Sequence, residues 1–147
     1  MYRVVIDTNV LISGIIQRSG FPFNVIKLWE NAYVVIITSL ATIEEAERVL
    51  HYPKIKKNYK LTDEDINHIL SNLFKYSVFV ENLSTLNIIK EDPADNTILA
   101  TAISGKADYI ISGDAHLLNL DNFRGIDIVT PKRFCEIMGK LKEQKKL

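Results

Sequence analysis

A single cysteine, Cys135, stands in the whole chain. That excludes an internal disulfide and a cysteine-based zinc site. The apolar helical pattern around Cys135 makes it a packed thiol rather than a nucleophile. Net charge is also missing, since Lys plus Arg and Asp plus Glu each total 18. A nucleic-acid partner therefore cannot be argued from overall charge, and any basic surface must be local. The chain has no Gly-x-Gly-x-x-Gly and no phosphate-cradling loop ending in Gly-Lys-Ser/Thr, so a nucleotide-binding module has no support. No apolar run approaches the roughly 20 residues needed to cross a bilayer. The first strand is not preceded by a signal-peptide layout. These absences, with the reduced state that one cysteine suggests, predict a cytoplasmic protein with no membrane partner.

What remains is the balance of an ordinary globular domain, with 47% apolar and 24% charged residues in a chain of 147. No repeat, low-complexity segment or linker divides it. One domain is predicted over residues 1–139, followed by a lysine-rich tail, 140–147. Short apolar runs rich in Val and Ile predict strands at Tyr2–Ile6, Val34–Thr38, Ser77–Val80, Tyr109–Ser112 and Ile126–Val129. Their near-continuous apolar character is that of strands covered on both faces. Helical patterns lie between them, at Val10–Ile16, Phe23–Asn31, Leu40–Leu50, Thr62–Tyr76 and Pro93–Ser104, with another after Pro131. Thr62 and Asp65 form a box-like helix start. Alternation of this kind implies a mainly parallel sheet of about five strands with helices on both faces. Ligands of such sheets bind beyond the carboxyl ends of the strands.

Acidic residues occupy that edge repeatedly. Asp7 ends the run Val4-Val5-Ile6, and Asp114 ends Tyr109-Ile110-Ile111-Ser112-Gly113. Glu45 lies on the helix after the second strand, and Asp92 and Asp95 flank a helix start. A charge just past a buried strand gains nothing from packing. Carboxylates gathered in one small volume repel, which raises pKa values or calls for a divalent cation. Oxygen-only ligands point to Mg²⁺ or Mn²⁺. Such an ion orients a phosphodiester, activates a water and stabilises the leaving oxygen. Each position also has a purely structural explanation. Asp92-Pro93-Ala94-Asp95 reads as a helix cap with Pro at N1 and an acid at N3. Thr42 and Glu45 read as a capping box. Asp114 reads as the start of a short helix over His116–Asn119. The joint placement favours a shared acidic site over these separate explanations.

The stretches Val4-Val5-Ile6-Asp7-Thr8-Asn9, Thr38-Ser39 through Glu45 to Leu50, Asp92-Pro93-Ala94-Asp95 through Ala100 to Ala102, and Ala107 through Ser112-Gly113-Asp114 to Leu118 resemble PIN-domain proteins. The closest likeness is to the prokaryotic subfamily described as toxin components of toxin–antitoxin systems, and it runs from Tyr2 to about Phe134. The resemblance implies a Rossmann-like three-layer α/β/α sandwich and metal-dependent endoribonuclease activity. It places the catalytic acids at Asp7, Glu45, Asp95 and Asp114. Of these, Asp7, Asp95 and Asp114 would hold Mg²⁺ or Mn²⁺, and Glu45 would be a ligand or orient the water. Thr8, Asn9, Asp92 and Ser112 take auxiliary places. Related sequences often carry a second Asp two residues after the last acid, where this chain has His116. That departure leaves the four acids intact and bears on whether a second metal binds. As a lone histidine in a loop, His116 is expected at the surface.

Arg48, Lys54, Lys56, Lys57 and Lys60, interleaved with His51, Tyr52 and Tyr59, form the candidate RNA-binding segment. Lysines attract phosphates and tyrosines offer stacking surfaces. A solvated connection between helices explains the same residues equally simply. An antitoxin protein is a further partner that the resemblance implies. Apolar surface on Val10–Ile16 and Phe21–Trp29 is compatible with a homodimer. Two other classes compete with the nuclease. One is a catalytically silent PIN-like module that binds RNA or a protein. The other is a phosphohydrolase or phospho-accepting receiver, against which the absence of an Asp-x-Asp motif at Asp7 and of an acidic pair at the chain start both count.

Overall fold

The computed structural model describes residues 1–81 and 93–145, the side chains of 142–145 excepted. Asp92 lies outside the described residues. The chain runs β1 (Tyr2–Ile6), α1 (Thr8–Ile16), α2 (Phe21–Glu30), β2 (Val34–Thr38), α3 (Leu40–Leu50), α4 (Pro53–Asn58), α5 (Asp63–Tyr76) and β3 (Val78–Phe79). It continues through α6 (Pro93–Ser104), β4 (Tyr109–Ile111), α7 (Ala115–Leu118), β5 (Asn122–Phe123), β6 (Ile126–Val129) and α8 (Pro131–Lys145). The sheet has the order β3-β2-β1-β4-β6-β5, parallel throughout except for the β5–β6 pair at one edge. It is the expected α/β sandwich with one more strand than the apolar runs indicate.

The three layers follow from the two-residue period of the strands. Val4 and Ile6 of β1, Val34 and Ile36 of β2 and Ile111 of β4 face one core, with buried residues of α1, α2, α3, α5 and α8. Val5, Ile37 and Ile110 face the other, which α6, α7 and the β5–β6 hairpin complete. Every second residue therefore has its own helix layer to bury against, which is why the runs are continuous rather than alternating. Most of the apolar surface of α1 and α2 is used inside the chain. Val10, Leu11, Ile12, Val25 and Ile26 are buried, and α2 packs against α1 and α8. The surface that suggested a second copy from sequence is largely part of this core.

The centre of the sheet is also the switch point of its topology. From β1 the chain moves outward to β2 and β3, then returns through α6 to β4 on the other side of β1. The crevice between the carboxyl ends of β1 and β4 is where an open sheet of this kind leaves room for a ligand. Side chains at the opposite end fix the register. The Arg3 guanidinium donates from Nε and Nη2 to the Gly105 carbonyl at 3.0 and 2.8 Å, and the Arg3 backbone N–H donates to the Asp108 carboxylate at 2.8 Å. The α6–β4 turn is thereby tied to the start of β1.

Local signals set the helix starts. Ser39 caps α3, accepting from the Thr42 N–H at 3.4 Å, so the Thr42–Glu45 box read from sequence is not formed. Glu45 instead lies well inside the helix. The Thr62 box is present: its hydroxyl accepts from the Asp65 N–H at 3.0 Å, and the Asp65 carboxylate accepts from the Thr62 N–H at 2.9 Å. Replacing Thr62 with Ala is expected to cost about 1 kcal/mol, measurable as a lower urea midpoint with an unchanged slope. The segment over Lys54–Lys57, which the sequence leaves open between an RNA-binding surface and a solvated connection, is a short helix with no buried residue.

Candidate active site

Asp7 leaves β1 with its backbone still in the sheet, its N–H donating to the Ile111 carbonyl at 2.9 Å. The side chain is thus delivered to the crevice by the strand itself. Ser112, the first residue past β4, is fully buried. Its Oγ donates to Asp7 Oδ2 at 2.7 Å and accepts from the Asp114 backbone N–H at 3.0 Å. One hydroxyl therefore spans the gap between the two strands and positions two of the acids. Asp114 caps α7, its Oδ1 accepting from the His116 N–H at 2.7 Å, which holds the carboxylate in one orientation.

The other two acids come from the helices on either side. Thr8 is buried at the start of α1, and its hydroxyl donates to Glu45 Oε2 at 3.1 Å. This bond distinguishes Glu45, which is half-buried, from its exposed neighbours Glu44 and Glu47. Asp95, in the first turn of α6, is only 4% exposed. Its Oδ2 lies 3.9 Å from the Nδ1 of His116. Asp95, Asp114 and His116 each present one ligand atom, all within 4.8 Å of one another. Among the auxiliary residues, Thr8 and Ser112 bond to the acids, whereas Asn9 is exposed on α1.

The electrostatics agree with this convergence. Burial pushes the Asp7 carboxyl above its ordinary value, and the charges of Asp114 and Glu45 push it further. The Ser112 hydroxyl and the Thr8 backbone N–H act in the opposite direction, favouring the ionised form. Removing the Ser112 hydroxyl is therefore expected to raise the Asp7 carboxyl further. In the metal-free Ser112→Ala protein, a ¹³C titration of Asp7 should show its midpoint at higher pH than in the wild type. An unchanged midpoint would mean that the bond at 2.7 Å does not bear on the charge.

A half-buried carboxylate with two like charges beside it, supported by hydroxyl and backbone donors, fits a small, hard divalent cation. His116 lies at the surface, as the sequence predicts. It is exposed, with 54% of its side chain accessible, yet it borders the acids. Its only sequence signal is the two-residue offset from Asp114, which the α7 turn converts into proximity.

The basic segment lies apart from these contacts. Lys54, Lys57 and Lys60 are exposed, as are Arg48, Tyr52 and Tyr59. Lys56 is engaged locally, its Nζ 2.6 Å from Asp63 Oδ1, and holds that carboxyl below its usual range. No helix among the described residues is long and apolar enough to cross a membrane.

Comparison with known proteins places this geometry in a family. The chain is 31% identical over 142 residues to the uncharacterized protein MJ1680 of Methanocaldococcus jannaschii, covering 91% of this chain and 90% of that protein. Its backbone is similar to the solved structure of VapBC2 from Rickettsia felis bound to a DNA fragment from their promoter. The TM-score there is 0.57 at 14% identity, covering 87% of this chain and 98% of the other. A second similar structure is FitAcB from Neisseria gonorrhoeae, with a TM-score of 0.51 at 15% identity, covering 87% and 97%. At these identities the two structures speak for the fold alone. The PIN domain family model matches residues 3–116, a span that contains Asp7, Glu45, Asp95 and Asp114, and the chain belongs to the PIN-domain family.

Proposed function

We propose that this chain is a metal-dependent endoribonuclease that hydrolyses RNA phosphodiester bonds and serves as the toxin of a toxin–antitoxin pair. The observation that supports the reading is a pair of acidic groups sharing Asp114: Asp7 feels the charges of Asp114 and Glu45, and Asp114 lies with Asp95 within 4.8 Å. Three different elements and the start of a fourth deliver these side chains, and packing alone needs none of them there.

Asp7, Asp95 and Asp114 would hold Mg²⁺ or Mn²⁺, which when bound supplies charge neutralisation, a more acidic water and stabilisation of the leaving oxygen. The Ser112 hydroxyl holds Asp7 by a bond that favours its ionised form and aligns the loop that carries Asp114. Glu45, oriented by Thr8, accepts a proton from the attacking water or fixes its direction. Arg48, Lys54, Lys57 and Lys60 attract the phosphates, and Tyr52 and Tyr59 offer base-stacking faces. The pairing of Lys56 with Asp63 makes Lys56 the weakest member of that set. The similar Rickettsia felis structure, VapBC2 bound to a DNA fragment from their promoter, supports an antitoxin as the protein partner.

The test is incubation of the purified chain with RNA and DNA oligonucleotide pools in Mg²⁺, Mn²⁺ or EDTA. Cutting of RNA that EDTA abolishes is the expected result. A folded protein that cuts nothing in either metal would remove the enzymatic reading. It would leave a silent module that binds RNA or a protein.

A further inference from the structure

We infer that His116 supplies an imidazole nitrogen to the cation at Asp95 and Asp114, making a mixed oxygen–nitrogen site that prefers Mn²⁺ to Mg²⁺. The inference rests on reading the carboxylates as a cation site and specifies what the chain adds to it. The separation of His116 Nδ1 and Asp95 Oδ2, 3.9 Å, is too long for a hydrogen bond. It falls within the roughly 3.0–4.2 Å that separates two ligands of one octahedral ion with bonds of about 2.1 Å. The Asp114 carboxylate completes the group within 4.8 Å. The same short turn that lets Asp114 cap α7 at the His116 N–H brings the imidazole back towards α6.

The imidazole is free to engage. Its side chain is 54% accessible, so no packing holds it against the acids, and Asp95 on the other side is nearly fully buried. Ligation through Nδ1 requires the ring proton on Nε2. A neutral nitrogen in place of a further carboxylate lowers the negative charge at this position and softens the donor set. Mg²⁺ binds through oxygen and sheds its waters reluctantly, whereas Mn²⁺, the first-row transition ion best suited to oxygen ligands, accepts an imidazole nitrogen beside them more readily. Selectivity is therefore expected to move toward Mn²⁺ without loss of the oxygen ligands.

Electron spin-echo spectroscopy of Mn²⁺ bound to the intact protein reads the nitrogen directly. The expected result is ¹⁴N modulation from one imidazole, absent in His116→Ala and absent in His116→Asp. Mn²⁺ affinity, followed by calorimetry, should fall in His116→Ala by about tenfold or more, since loss of even an outer partner of a ligand costs that much. Mg²⁺ affinity should change less, and should rise in His116→Asp. Mn²⁺ that binds with no nitrogen modulation, and whose binding is lost in Asp95→Asn, would overturn the role of His116 while leaving the cation site standing. Mn²⁺ binding that ignores Asp95→Asn, or no binding at all, would overturn both. His116 is exposed, so both of its variants are expected to fold, which circular dichroism checks.

Discussion

Asp7→Asn is expected to abolish metal-dependent cleavage and, in the metal-free protein, to leave the fold as stable as the wild type or more so. The two halves have one cause. The Asp7 carboxyl is half-buried and faces Asp114 and Glu45, so its charge costs the folded state unless a cation neutralises it. Its folded pKa is raised above the unfolded value of 3.8. The folded state therefore binds protons more tightly than the unfolded chain. The stabilisation from a protonated Asp7 is complete below the unfolded value and is lost as pH rises through the folded one. Once Asp7 is ionised that stabilisation is gone and a charge is left to desolvate, whereas Asn carries none. It also keeps an acceptor for the Ser112 hydroxyl. Cleavage should nonetheless fall by about 10³-fold or more, because a bound cation supplies several kcal/mol to the transition state. Thermal melts in EDTA and cleavage rates in Mn²⁺, on the same preparations, check both halves. A variant that cuts at the wild-type rate, or one that melts well below it without metal, would contradict the account.

The largest effect on stability is expected at Gly14, where two helix-forming tendencies oppose each other. Gly14 lies inside α1, where Ala is favoured over Gly by about 1 kcal/mol. A Cβ at this position, however, would stand 2.5 Å from the Pro22 carbonyl oxygen and 2.5 Å from Ile26 Cγ1. The isoleucine can rotate, but the carbonyl belongs to the backbone of α2 and cannot move without separating the two helices. Overpacking costs up to about 3 kcal/mol, so Gly14→Ala should be destabilised by about 2 kcal/mol net and melt several degrees lower. Gly139→Ala is the control. It lies in α8 with nothing within 4 Å of the added Cβ, so only the helical preference acts and the variant should be slightly more stable. Equal melting of the two variants would mean that α1 and α2 do not approach so closely.

Much of this architecture is legible in the residues because burial on two faces leaves a strong pattern. β1, β2 and β6 match their apolar runs end to end, since each apolar residue of those runs has a core to enter. β5 leaves no such trace. It is two residues long, and its turn into β6 through Arg124 and Gly125, both at positive φ, carries the information instead. β3 is shorter than its run because Ser77 and Val80 flank an edge strand with one neighbour. α4 escapes notice because lysine-rich Pro53–Asn58 buries nothing and so shows no stripe.

The site divides in the same way. Asp7 and Asp114 declare themselves as charges after buried strands, and that signal is local. Glu45 is separated from Glu44 and Glu47 only by the Thr8 hydroxyl, a contact across 37 residues that no local pattern encodes. The likeness to PIN-domain proteins points to Glu45 where periodicity does not. The approach of His116 to Asp95 depends on how α7 and α6 lie against the sheet, which is tertiary information throughout.

Anomalous diffraction from crystals grown with Mn²⁺ tests the central claim most directly, that these carboxylates form one cation site at the sheet's carboxyl edge. The account predicts a metal peak within bonding distance of the Asp7, Asp95 and Asp114 carboxylates. Crystals in which Mn²⁺ is absent from the crevice between β1 and β4, or is held by other residues, would contradict it.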